Sequence, residues 1–62
     1  MINHKNGCYR KVQYHQPINN DVWELWADVA DYEAGEPAYI VFCSDTGFNG
    51  AELLEMLQEG LL

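Results

Sequence analysis

Along the stretch Asn20 to Gly35, NDVWELWADVADYEAG, the apolar residues Val22, Leu25, Trp26 and Val29 recur at the spacing of one side of a 3.6-residue turn. Asp21, Glu24, Asp28 and Asp31 fall together on the opposite side. The spacing predicts an amphipathic helix with one packing face and one purely acidic face. Both ends are marked: Glu24 follows Asp21 at a capping-box interval, and Gly35 with Pro37 supplies a left-handed stop and a residue that cannot continue a helix. Trp23, Leu25, Ala27 and Val29 also alternate, so a strand over residues 22–32 is the alternative. The marked ends favour the helix.

Before this stretch, Met1 to Gly7 is polar and without period, which predicts a frayed end. Cys8 to His15, CYRKVQYH, reads as a half-exposed strand, and Gln16 to Asn20 as a turn-forming connection around Pro17. Beyond it, Ala38 to Cys43, AYIVFC, is a continuous apolar run of the kind expected of a strand covered on both faces, at the centre of a sheet. Ser44 to Gly50 reads as a loop with Phe48 folded back onto the core. Asn49 to Gly60 reads as a second helix, with Asn49 as N-cap and Gly60 as stop. Its apolar side is Leu53, Leu54 and Leu57, continued by Leu61; its outer side is Glu52, Glu55 and Glu59.

The expected fold is therefore α+β: a small two- or three-stranded sheet packed against two amphipathic helices, in the order β-α-β-α. The alternative is β-β-β-α, with residues 22–32 as a strand. A chain of 62 residues makes one compact domain, near the lower limit for folding without staples. If both helices lie on one side of the sheet, their acidic stripes run side by side.

Charge sharpens this picture. The net charge is −7, yet 48% hydrophobic residues argue for a folded chain rather than a disordered one. Lys5, Arg10 and Lys11 are the only Lys and Arg; from Val12 onward there are ten Asp and Glu and no basic partner. On a helix, neighbouring acids about 4.5 to 6 Å apart would repel by roughly 0.7 kcal/mol per pair even in water. Such a surface suits a positively charged protein partner, and excludes direct binding to nucleic acid or an anionic membrane. No apolar run approaches the length of a membrane span and the start is unlike a signal peptide, so the expected location is the cytosol; a monomer is expected, with a homodimer as the alternative.

Chemistry is sparse. His4, Cys8, His15 and Cys43 lack the spacing of a zinc site, and Asp45 to Asn49 lacks the ligand positions of a calcium loop. Ser44 and Asp45 beside Cys43 do not make a nucleophile and base, and no glycine-rich phosphate loop is present, so no catalytic residue, metal or cofactor is expected. Cys8 and Cys43 are expected reduced, although a bridge between neighbouring strands stays open. Trp26 belongs to the core, whereas Trp23 lies at the edge of the apolar face and is a candidate interface anchor.

In length, acidity and small α/β pattern the chain resembles the small anti-CRISPR proteins that act as DNA mimics. The residues carrying the resemblance are Asp21, Glu24, Asp28, Asp31, Glu33, Glu36, Glu52, Glu55 and Glu59. It implies a non-enzymatic inhibitor whose carboxylates block the DNA-binding surface of a CRISPR effector such as Cascade. From the residues alone, a second class of function is a small interaction module, antitoxin or adaptor, that binds through Trp23 and the apolar helix edge.

Overall fold

The computed structural model describes residues 1–14, 20–43 and 47–62. Four strands form one antiparallel meander in the order β1-β2-β3-β4: β1 Ile2–His4, β2 Gly7–Tyr14, β3 Asn20–Trp26 and β4 Tyr39–Phe42. Two helices accompany it, the short α1 Val29–Glu33 between β3 and β4, and α2 Gly50–Gln58 after β4. This overturns the expected β-α-β-α order with a two- or three-stranded sheet. Residues 20–26 are extended, paired with β2 along their whole length and with β4 over Val22 to Leu25. The alternative strand over residues 22–32 is not what forms either, because the chain turns at Ala27 and Asp28 into α1.

The reason lies in where β3 sits. It is an inner strand with apolar residues on both faces, so alternation and helical spacing overlap in its sequence. Leu25, Trp23 and their cross-strand neighbours Tyr9 and Val41 face α2, where Leu53 and Leu54 complete the core and Met56 and Leu57 flank it. Val22 and Trp26 point to the other side, where Trp26 lies opposite Cys8 in register. There Tyr32 of α1 packs edge-on against Trp26 at 4.9 Å between ring centres, and Trp26 Nε1 donates to the Glu36 carbonyl at 2.9 Å. α1 thus packs on the Trp26 face of β3 and α2 on the Leu25 face.

Local signals set the helix ends. The Asp28 side chain accepts from Ala30 N, and the Asn49 side chain accepts from Glu52 N, both at 2.9 Å. Each helix closes with a glycine at positive φ, Gly35 at 82° and Gly60 at 77°, followed by a long return bond: Glu36 N to Asp31 O and Leu61 N to Met56 O. Gly35 is the expected stop, and the helix it ends is the five-residue α1.

Expectations for Met1 to Gly7, for the centre of the sheet, for Phe48 and for Leu61 are corrected, and the cysteines are free thiols as expected. Met1 to Gly7 is not frayed: Ile2–His4 pairs with Gly7–Tyr9 through a turn whose central residues, Lys5 and Asn6, both have positive φ. β4 is an edge strand, not the centre of the sheet, with Tyr39 and Phe42 exposed. Phe48 is 46% exposed rather than folded onto the core, and Leu61 is 67% exposed. Cys8 and Cys43 are free thiols on β2 and just after β4, strands that flank β3 rather than each other; in register they lie about five residues, or roughly 17 Å, apart. His15 and residues 44–46, considered above for metal or catalytic chemistry, lie outside the described residues.

Candidate acidic interaction surface

The ten candidate binding residues are distributed by this fold over three places. Asp21 and Glu24 are on β3, where an odd separation of three residues sends their side chains to opposite faces, about 10 Å apart along the strand. Each has a cation across the β2 ladder: Arg10 pairs with Glu24, its register partner, and Lys11 Nζ stands 3.7 Å from Asp21. The repulsion expected between neighbouring acids on a helix does not arise there. Arg10 also lies over the Trp26 ring, 5.6 Å from its centre, so the Glu24–Arg10 pair belongs to the packing of the sheet's second face.

Trp23 is occupied within the molecule. Its ring meets Tyr9 edge-on at 5.8 Å, carries the Lys11 ammonium at 5.8 Å, and lies against the start of α2 at Gly50. It is half-buried on the helix-covered face rather than at a rim.

The third cation, Lys5, sits in the β1–β2 turn. Lys5 Nζ and His4 Nε2 grip the two oxygens of Glu55 at 2.8 and 2.9 Å. Gln58 Nε2 donates to the carbonyls of Lys5 and Ala27, and Val29 N donates to the carbonyl of Asn6. The turn therefore joins both helices to the sheet. Sequence reasoning missed this role for His4, Lys5 and Gln58; Asn6-Gly7 is a hairpin signal, but the positive φ values fall one residue earlier, at Lys5 and Asn6.

The hydrogen bond from Lys5, then that from His4, holds the Glu55 carboxyl below its usual range, while Glu55 holds the Lys5 ammonium above its own. A carboxylate with a depressed folded pKa stabilises the protein above its unfolded pKa, and that stabilisation is lost as pH falls through the folded value. Melting temperature is therefore expected to fall as pH drops below the unfolded carboxylate value of about 4.3, with Glu55→Gln removing a part of that fall. Thermal melts across this range check it; an acid limb of unchanged size in the variant would show that the clamp contributes nothing.

With all three cations engaged on the β1–β2 side, Asp31, Glu33, Glu36, Glu52 and Glu59 stand in no ion pair with a described residue. They form two groups. Asp31, Glu33 and Glu36 surround α1, with Asp28 committed to the cap; Asp31 and Glu36 border a cleft with Pro37 and Tyr39. Glu52 and Glu59 lie on α2, where with Glu55 they rim a shallow groove floored by Phe48 and Met56.

The arrangement offers charge and little else. Burial pushes the Cys8 thiol up, away from the reactive thiolate. Among the described residues no three of His, Cys, Asp and Glu gather into a group that could hold a metal ion, and no helix is long and apolar enough to cross a membrane. No family model, curated protein or solved structure matches the chain.

Proposed function

We propose that this protein is a non-enzymatic inhibitor that sets its carboxylates against the nucleic-acid-binding surface of a basic protein or complex, with a CRISPR effector such as Cascade as the partner that the resemblance to anti-CRISPR proteins implies. One observation carries the reading: the three cations are gathered on the first hairpin and each is paired, one of them with Glu55 of α2, which leaves Asp31, Glu33, Glu36, Glu52 and Glu59 without an ion pair among the described residues. Carboxylates held on a folded scaffold neutralise the Lys and Arg that otherwise hold phosphate, and attraction between opposite fields makes association fast and salt-sensitive. The display has two groups, one around α1 and one along α2, and Asp31 and Glu36 share their cleft with Leu57 of α2.

The test uses the residues that the fold does not need. Reversing Asp31, Glu33, Glu52 and Glu59 to Lys adds two charge units at each position and shifts the net charge from −7 to about +1. Glu24, Asp28 and Glu55 are left intact because they serve the Arg10 pair, the α1 cap and the hairpin clamp. With purified Cascade and its target duplex, the concentration needed to displace DNA is expected to rise by about tenfold or more, while the melting temperature stays within a few degrees. A variant that folds and still displaces DNA as well as the parent protein would refute the proposal.

A further inference from the structure

Among the described residues the sheet has two edges without a further strand, and they are built differently. β1 is only three residues long, which itself blunts that edge. β4 pairs with β3 on one side only, and its outward N–H and C=O groups meet no other described strand. Within β4 itself there is no Lys, no other charge, no proline and no bulge, the features that usually protect an exposed edge. Tyr39 is exposed on the α2 face and Phe42 on the other, so an incoming strand would find an aromatic side chain beside it on each face.

We propose that the β4 edge takes up an extended segment of a basic protein as a fifth strand, with apolar or β-branched residues alternating along the pairing and Lys or Arg just outside it. Main-chain hydrogen bonds supply the binding and alternate side chains the selectivity, as in other strand additions. Charge decides the occupant. Every Lys and Arg of this chain lies in the β1–β2 hairpin, on the far side of the sheet, while the β4 end opens among Asp31 and Glu36. A second copy would bring another net −7 to the same edge, whereas cations flanking a partner strand would meet Glu36 where β4 begins. The inference rests on the proposed function for the basic character of the partner, and it locates where that partner is gripped.

The probe is a blocked synthetic peptide, Lys-Arg-Thr-Val-Thr-Ile-Thr-Lys-Arg, compared with the same core flanked by Glu and Asp. Amide hydrogen exchange of the whole chain is followed by NMR. With the basic peptide in excess, outward amides of residues 39–42 are expected to exchange about tenfold more slowly while α2 amides keep their rates, and the acidic peptide has little effect. Phe42→Lys, at an exposed position, is expected to reduce that protection severalfold without loss of fold. No protection at β4, equal protection by the two peptides, or protection that grows with the protein's own concentration in the absence of peptide each overturns the proposal, the last in favour of a second copy. The peptide assay involves no DNA-binding complex, so its failure and that of the charge-reversal experiment are read separately.

Discussion

Leu54→Ala is expected to leave most of the protein unfolded at room temperature. Leu54 is fully buried where α2 meets the sheet, together with Leu53 and Leu25. Removing a buried leucine side chain costs about 2 to 5 kcal/mol, through lost transfer energy and the cavity left behind. A core of this size rarely supplies more than about 3 to 5 kcal/mol in total. The loss is thus comparable to the whole stability of the fold. Circular dichroism with urea titration checks it, and Leu61→Ala, at a 67% exposed position, is the matched control expected to change little. A fall in melting temperature of less than about 5 °C for Leu54→Ala would mean that α2 is not a principal source of stability.

That pair of leucines also shows what could be read from the chain and what could not. α2 was legible because its determinants are local: Asn49 and Glu52 make the cap they were expected to make, Gly60 takes the positive φ of a stop, and Leu53 and Leu54 form the buried side. Leu61 continued the same spacing but lies beyond the Gly60 turn, where helical phase no longer applies. The strand now seen as β2 was legible too, since Tyr9 and Lys11 on one face and Cys8, Arg10 and Val12 on the other alternate as an outer-core strand should.

β3 misled because it is covered on both sides. Val22 and Trp26 on one face, with Trp23 and Leu25 on the other, give an almost unbroken apolar run, and three of those positions, Val22, Leu25 and Trp26, match a helix face that Val29 continues. The helix-end signals at Gly35 and Pro37 were genuine, but they belong to α1, whose five residues follow the strand after a two-residue turn. β4 misled in the opposite sense: its apolar run implied an inner strand, yet meander topology puts it at an edge. Nothing in residues 39–42 by themselves tells one from the other. For the candidate surface, the excess of acids was legible from composition, whereas the division into paired and uncompensated carboxylates was not. That division depends on the β2–β3 register, which places Arg10 opposite Glu24 and Lys11 within reach of Asp21, and on the hairpin turn that carries Lys5 to Glu55.

Gly50→Ala is expected to destabilise the protein by about 1 to 3 kcal/mol, although the same change at an ordinary helix position would stabilise it. Gly50 opens α2 and is buried against the sheet, and a methyl group there would stand 2.3 Å from Cδ2 of Tyr9 and 2.8 Å from Cε3 of Trp23. Neither ring can simply withdraw. Tyr9 and Trp23 hold each other edge-on, Trp23 carries Lys11 on its ring, and both flank Leu25 in the core. The methyl group must therefore push α2 away from β2 and β3 or break the ring pair, and either response loosens the contact that Leu53 and Leu54 make with the sheet. Because helix propensity and packing predict opposite signs, the direction of the change alone decides between them. A melting temperature lowered by roughly 5 to 20 °C is expected, with altered near-ultraviolet circular dichroism from the displaced Trp23. An unchanged or raised melting temperature would show that α2 does not sit this close to Tyr9 and Trp23, and the position of Glu52, Glu55 and Glu59 relative to the sheet would then have to be redrawn.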